Sequence, residues 1–202
     1  MIRLLDKVIN LVYESMLGIT TRGVEGVGTS DAEHIHYGTV PYRTIRAILN
    51  ALRLGSGDIF VDLGCGKGRV LCCASMRKPA RSIGIEYAPS LADSARNNAA
   101  ALRAGHSAID VKTMEAQQFD FTEGNVFYMF HPFGEHTMRE VMNRLKDGLE
   151  RSPRLIRIVY LNPVHADVLR EYSWLIEYEH WAPGFFRSPE HQVCWFKNRA
   201  DK

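Results

Sequence analysis

The sequence predicts an α/β protein whose parallel sheet is covered by helices on both faces. Between residues 58 and 161, short runs of β-branched and aromatic residues alternate with longer segments whose apolar residues recur at helical spacing. This alternation is typical of parallel strands joined by crossover helices. The last two apolar runs, 174–181 and 191–197, leave no room for a helix between them. They are therefore expected to pair antiparallel, as a hairpin at one edge of the sheet.

The N-terminal forty residues predict a helix followed by a long loop. In residues 1–17, apolar side chains recur every three or four positions, which indicates an amphipathic helix and not a membrane span. Residues 18–40 are rich in Gly, Thr and Ser, and a loop of this length in a compact domain is commonly functional or disordered. The predicted division is an N-terminal helix and lid loop at 1–40 and a main domain at 41–202.

The main domain begins with a predicted helix at Pro41, which suits a first turn, and Gly55 suits its end. Seven strands then follow, predicted at 58–63, 82–87, 108–114, 125–130, 155–161, 174–181 and 191–197. Helices are predicted between them at 68–76, 89–104, 135–151 and 163–172. The carboxyl ends of parallel strands meet at one edge of such a sheet, and open α/β sheets bind their ligands at this edge.

Composition and charge fit a protein with an apolar core and no strong attraction to polyanions. The 202 residues are 46% hydrophobic and 24% charged, with a formal net charge of +2 at pH 7. A dedicated nucleic-acid binder shows a stronger basic bias, so a nucleic-acid partner is the less favoured prediction. The four cysteines include no C-x-x-C pair, so no metal site is predicted, and a reduced, cytoplasmic protein is the simplest interpretation.

The stretch VDLGCGKGRV, residues 61–70, follows the first predicted strand and carries three glycines that alternate with other residues. A triphosphate-binding loop needs Ser or Thr after its lysine, and here Gly68 follows Lys67. A dinucleotide-binding loop needs a small residue where this chain has Arg69, so a nicotinamide oxidoreductase is only a weak alternative. The pattern G-x-G-x-G still lets the backbone pass close to a ligand, just before a helix N-terminus.

This stretch resembles motif I of the class I S-adenosylmethionine-dependent methyltransferases. Residues 83–98, IGIEYAPSLADSARNN, are similar to their second motif, and EAQQF at 115–119 is similar to their adenine-binding stretch. FHPF at 130–133 stands where amino-methyltransferases carry N/D-P-P-aromatic. FHPF and YGTVPY (37–42) also resemble the Y-N-P-F and Y-x-P-T-P-Y segments of small bacterial-type members of this family.

The resemblance implies a Rossmann-like fold and S-adenosyl-L-methionine as the cofactor. It extends from about Gly18 to Val168. The residues expected to bind the cofactor are Tyr37, Asp62, Gly64, Cys65, Gly66, Gly68, Glu86, Tyr87, Glu115, Ala116 and Phe130.

The chemistry of these residue types suits a nucleoside. Glu86 ends the second predicted strand beside the glycine turn, where one carboxylate can accept from both hydroxyls of a ribose. Glu115 can accept from the adenine amino group, while the Ala116 backbone N–H donates to a ring nitrogen and Tyr87 lies along the ring. Asp62 lies within an apolar strand, so its carboxylate needs partners, either loop N–H groups or the amino group of the cofactor.

The segment FHPF is expected to form the methyl-transfer site. Pro132 is expected to restrict His131 to an extended conformation. Phe130 and Phe133 are expected to wall the sulfonium, because aromatic faces attract cations. Tyr42 follows the lid loop and is expected to close the site. The predicted catalytic residues are His131 and Tyr42.

His131 is the main departure from the resembled members, which carry Asn at this position. A neutral imidazole can accept a hydrogen bond from an amine or act as a base near pH 7, and it can equally be a structural histidine. The leading prediction is methyl transfer to an unidentified nitrogen or oxygen acceptor, on a small molecule or on a protein side chain such as lysine. The alternative is a catalytically inactive module that binds the cofactor. The oligomeric state is not predicted.

Overall fold

A computed structural model describes residues 2–22, 38–183 and 192–199. The strands are β1 Ile59–Leu63, β2 Arg81–Glu86, β3 Ile109–Thr113, β4 Val126–Phe130, β5 Arg157–Leu161, β6 Leu175–Trp181 and β7 Val193–Asn198. The helices are α1 Ile2–Leu17, α2 Tyr42–Leu52, α3 Arg69–Ser75, α4 Pro89–Ala101, α5 Glu135–Arg151 and α6 Ala166–Arg170. One turn of 3-10 helix lies at Ala116–Gln118.

The seven strands form one sheet in the order β3-β2-β1-β4-β5-β7-β6. The first five pair in parallel, and β7 lies antiparallel between β5 and β6. The predicted mostly parallel sheet and the antiparallel hairpin at one edge are therefore confirmed. The order reverses between β1 and β4, and ligands of open α/β sheets bind at such a reversal.

Three helices differ from the sequence prediction. Helix α4 ends at Ala101 and not at residue 104, because Leu102 is extended, with φ of −62° and ψ of 114°. Helix α2 ends before Gly55, because Arg53 takes the left-handed conformation, with φ of 49°, and its N–H bonds to the Leu49 carbonyl. Helix α6 is shorter than the predicted 163–172. The reason is local: Asn162 has a φ of 50° and Pro163 follows it, so the chain turns before it can become helical.

Apolar side chains cover both faces of the sheet. One core packs α5 and α6 against Phe127, Met129 and their neighbours. The other packs α2 and α3 against Phe60 and Trp195, and it takes in the end of α1. All four cysteines are buried and unpaired. Among the described residues, no helix combines the length and the hydrophobicity needed to cross a membrane.

Candidate active site

The glycine turn after β1 takes a backbone conformation that side chains would oppose. Gly64, Gly66 and Gly68 have φ values of 78°, 53° and 79°, in the left-handed region that favours glycine. A Cβ at Gly64 would also lie 2.6 Å from the Cβ of Pro132. The turn after β1 and the turn after β4 are therefore in direct contact, and Gly64 is needed for this approach.

Glu86 holds the glycine turn from the end of β2. One carboxylate oxygen accepts the Gly66 N–H at 2.9 Å, and the other accepts the Ala88 N–H at 3.0 Å. The side chain is only 5% exposed. Burial raises the pKa of Glu86, although hydrogen bonds from the backbone oppose this. The Tyr87 backbone is a third such donor, and a carboxylate has about four acceptor sites, so Glu86 can still accept a further donor.

A cavity of about 180 Å³ lies over the turn, at the carboxyl ends of β1, β2 and β4. Asp62 is 3% exposed, and burial followed by the charge of Glu86 raises its pKa to about 8. Within the described part of the chain, no hydrogen bond reaches its carboxylate. The hydroxyl of Tyr128, paired in register with Asp62 on the neighbouring strand, is also buried without a partner in these ranges. Unpartnered buried polar groups are costly, so they indicate a polar ligand at this place.

A smaller cavity continues from the first past Tyr87, Gly64 and Pro132, which line both. Glu115 and Ala116 line this second cavity, beside Phe133 and Thr137. The structure therefore brings the predicted adenine-side residues next to the predicted ribose-side residue, Glu86.

His131 lies at the rim of the larger cavity, in a strained conformation. Its φ is 38°, so the predicted extended conformation before Pro132 is wrong. Pro132, the next residue, packs against the glycine turn, and this contact constrains the backbone of His131. A non-glycine residue with positive φ costs about 1–3 kcal/mol, and such residues cluster at functional sites. Burial, and then the charge of His165, lower the pKa of His131.

Asn162 faces the same cavity from the end of β5, and it is not among the site residues predicted from the sequence. It repeats the features of His131: it ends the adjacent parallel strand, it precedes a proline, and its φ is 50°. The paired signals His-Pro and Asn-Pro, each after an apolar strand, could have identified it.

Arg69 is the second residue near the site that is not among the predicted site residues; in the sequence it indicated only that the glycine turn does not bind a dinucleotide. Its side chain is 4% exposed. Its guanidinium donates to the Thr21 hydroxyl at 2.7 Å and to the Val40 carbonyl at 2.9 Å, and it pairs with Glu14 at 2.9 Å. Arg69, in the first turn of α3, therefore binds both ends of the predicted lid loop 18–40.

Tyr42 does not reach either cavity. It has no exposed surface, its ring stacks on Tyr13 at 4.9 Å, and the Arg69 guanidinium lies 4.7 Å from its centroid. The prediction of a catalytic contact by Tyr42 is therefore corrected to a packing position, because burial in the core withdraws its ring from the site. Gly68 lines neither cavity and caps α3. Tyr37 lies outside the described residues.

The predicted site residues that do line the larger cavity are Asp62, Gly64, Cys65, Gly66, Glu86, Tyr87, Phe130 and His131. They come from three separate segments of the sequence, at 62–66, 86–87 and 130–131. The parallel sheet brings them together because its strands end at one edge.

Comparison with solved structures gives many similar folds at low sequence identity. An RNA methyltransferase from Salinibacter ruber in complex with S-adenosyl-L-homocysteine matches with a TM-score of 0.57 and 18% identity, over 82% of this chain and 96% of that chain. The tRNA methyltransferase TrmK from B. subtilis gives 0.59 and 14%, over 78% and 66%. MtNAS in complex with S-adenosylmethionine gives 0.60 and 17%, over 78% and 62%. These likenesses show the Rossmann-like methyltransferase fold.

Comparison with curated proteins finds no significant match. A family model does match: residues 30–148, more than half of the chain, fit the model described as histone methylation protein DOT1. This stretch contains the glycine turn, Glu86, Glu115 and the His-Pro turn, so the match covers the site described above. The chain belongs to the DOT1 family, and it is an S-adenosylmethionine-dependent methyltransferase.

Proposed function

We propose that the enzyme methylates a primary amine, and that the acceptor is a lysine side chain of a protein. The proposal rests on one observation at the rim of the larger cavity. There His131 and Asn162 follow adjacent strands, and both have a left-handed backbone. Two side chains that can accept hydrogen bonds thus converge on one side of the site. The family model, named for histone methylation, supports a protein acceptor.

The cofactor is proposed to lie along both cavities. Glu86 would accept from the ribose hydroxyls, Glu115 and the Ala116 N–H would bind the adenine, and Asp62 would face the amino group of the methionine portion. The unpartnered Asp62 carboxylate and the unpartnered Tyr128 hydroxyl fit this use, because both are buried and need a polar ligand. When bound, S-adenosylmethionine supplies an electrophilic methyl group on a sulfonium.

The chain's own residues then have to prepare the amine. A lysine carries a proton at neutral pH, and its nitrogen is nucleophilic only after this proton has left. The lowered pKa of His131 keeps its imidazole neutral, so it can accept a hydrogen bond or the proton itself. Asn162 would accept a second hydrogen bond and orient the nitrogen. Phe130, also at the rim, supplies an aromatic wall that attracts cations.

The test is methyl transfer from labelled S-adenosylmethionine to core histones, polylysine, free lysine and tRNA. We expect methylation of lysine within proteins, with the modified atom located by mass spectrometry. His131→Ala should lower kcat by about 10²–10⁴, the usual contribution of a general base, and should leave the affinity for S-adenosylhomocysteine nearly unchanged.

The matched control is His136→Ala, because His136 is a histidine of α5 that is 75% exposed at the surface. Its kcat should equal that of the wild type. Transfer to tRNA alone would overturn the proposed acceptor. Equal turnover by His131→Ala on a true substrate would overturn the role of His131.

A further inference from the structure

We propose a mononuclear zinc site on the edge hairpin, formed by Glu177, His180 and Cys194. We call these residues the hairpin cluster. None of them lines either cavity of the methyl-transfer site. The sequence does not predict such a site, because His180 and Cys194 are too far apart for a short metal-binding motif. The pairing of β6 with β7 brings them together.

The ligand atoms of the hairpin cluster are close enough for one ion. The Cys194 sulfur lies 4.0 Å from His180 Nδ1, and this nitrogen lies 3.6 Å from a Glu177 oxygen. All of the ligand atoms lie within 4.8 Å of one another. In a tetrahedral zinc site with ordinary bond lengths, ligand atoms are about 3.4–3.6 Å apart. The sulfur–nitrogen and nitrogen–oxygen pairs therefore have to contract by only a few tenths of an ångström. The sulfur–oxygen pair, which lies within 4.8 Å, has to contract by at most about 1.4 Å.

A β-bulge is what gathers the cluster on one face of the sheet. In a regular strand, residues three apart point to opposite faces, which would separate Glu177 from His180. The pairing of β6 with β7 shifts between Glu177 and Glu179. As a result, Glu177 stands opposite Phe196, and His180 stands opposite Cys194. Phe196 and Cys194 belong to the same core, so both β6 residues face that side. Bulges commonly redirect a side chain in this way.

The cluster already binds a cationic side chain, which a metal ion has to displace from Glu177. Arg170 of α6 places its guanidinium on Glu177, with contacts of 2.7 and 3.2 Å, and its Nη2 lies 3.8 Å from the Cys194 sulfur. A positive charge thus already occupies the position between two of the ligands. Arg170 also donates to Asp167 at 2.6 Å, so this bond can hold the guanidinium when it leaves Glu177.

The ligand chemistry favours zinc over magnesium or calcium. A thiolate and an imidazole are ligands of zinc, whereas magnesium and calcium take oxygen ligands. Binding forms the zinc–sulfur bond and breaks the sulfur–hydrogen bond of Cys194, and the proton leaves to the buffer. His180 is exposed, so water can complete the fourth position. Such a site would fasten the edge strand to β7.

The test is titration of the metal-free, untagged full chain with Zn²⁺ by calorimetry, and with Co²⁺ by absorption spectroscopy. We expect one ion per chain and a thiolate-to-cobalt charge-transfer band. Zn²⁺ should also raise the Tm of the wild type. His180→Ala and Cys194→Ser should each lose at least tenfold in affinity, and Cys194→Ser should lose the band. Because His180 is exposed, its variant should fold even where Cys194→Ser does not.

Two controls isolate the cluster. Glu179→Gln changes the neighbouring acid on the opposite face of β6, and Cys73→Ser removes a buried thiol of α3; both should bind like the wild type. Arg170→Gln should bind more tightly, because it removes the competing charge. No binding by folded wild type, or binding that neither cluster variant weakens, would overturn the proposal.

Discussion

Two regions of this enzyme bury carboxylates, and they treat them in opposite ways. Near the end of α1, Glu14 is 2% exposed and has several partners: Arg69, Arg22 and both the N–H and the hydroxyl of Thr21. At the floor of the larger cavity, Asp62 is buried to a similar degree and has no hydrogen bond within the described ranges. Burial alone therefore does not separate a structural acid from an acid that awaits a ligand.

The partners decide the direction of each pKa shift. Burial would raise the pKa of Glu14, but the hydrogen bonds from Thr21 and the charge of Arg69 together lower it. Burial and the charge of Glu86 raise the pKa of Asp62 to about 8, and no donor opposes them. The first carboxylate is stabilised by the fold itself. The second is destabilised by the fold, and a cationic ligand would relieve this.

Removing the partnered acid should give the largest loss of stability. Glu14→Gln leaves the Arg69 guanidinium buried without its counter-charge, which costs about 3–5 kcal/mol for a pair of this kind. Urea unfolding measures the loss. Glu150→Gln is the matched control, because Glu150 forms an exposed pair with Lys146, and it should change stability by less than about 0.5 kcal/mol.

The double variant Glu14→Leu with Arg69→Met sharpens this result. Apolar replacement of both charged partners removes the unpaired charge, so part of the lost stability should return. Recovery should be incomplete, because Thr21 and the Val40 carbonyl lose these partners. If Glu14→Gln alone loses less than about 1 kcal/mol, the pair contributes little to stability. The difference in hydrogen bonding between Glu14 and Asp62 would then have no energetic consequence.

Glu86 stands between the two regions in character, since backbone donors reach it and its pKa is still raised. Glu86→Gln places an amide N–H₂ against the N–H of either Gly66 or Ala88, and it removes the charge proposed to accept from the ribose. Hydrogen bonds to charged groups contribute about 1.5–3 kcal/mol, so we expect a loss of about 10–150-fold in affinity for S-adenosylhomocysteine by calorimetry. Asp93→Asn, an exposed pair partner of Arg96, is the control and should bind normally. Unchanged affinity would contradict the proposed ribose contact.

The sequence predicted the fold well because its signals are periodic and local. The seven strands were found from apolar runs, and the edge hairpin was found from the missing helix between its strands. The ends of α2 and α6 were not found, because Arg53 and Asn162 adopt left-handed conformations that sequence patterns assign to glycine.

The site was predicted only where a residue type already suggests a ligand. Glycines, Asp62 and Glu86 carry such a signal. Asn162 carries a weaker one, its position before a proline after an apolar strand, and the partners of Arg69 became visible only when the fold brought distant segments together. Tyr42 is the opposite case, a residue predicted in the site that does not line it. An aromatic residue after a lid loop suggests a binding site, but here its ring packs in the core.

Asp62→Asn tests the unpartnered side of the comparison through pH. The folded state keeps a proton on Asp62 up to about pH 8, whereas the unfolded chain loses it near pH 4, so the cofactor-free enzyme loses stability as pH rises between these values. This contribution levels off above pH 8. Between pH 6 and 8 the free energy of unfolding of the wild type should fall by about 2 kcal/mol in total, and the variant should not show this fall.

Urea unfolding of both proteins from pH 5 to pH 9, at constant salt, measures the difference. The affinity of the wild type for S-adenosylmethionine should rise over the same range, because the ionised carboxylate binds a cationic ligand better. Parallel stability curves for the two proteins would show that Asp62 is ionised, and therefore partnered, in the free enzyme.

Tyr128→Phe is the finest test, because it removes one buried hydroxyl and changes no charge. The hydroxyl has no protein partner in the described ranges, so its loss should leave the stability of the free enzyme unchanged or slightly higher. If the hydroxyl binds the cofactor, directly or with Asp62, the affinity for S-adenosylmethionine should fall by about 2–12-fold, the worth of one ordinary hydrogen bond. Loss of stability with unchanged affinity would place Tyr128 with Glu14, among the groups that the fold satisfies by itself.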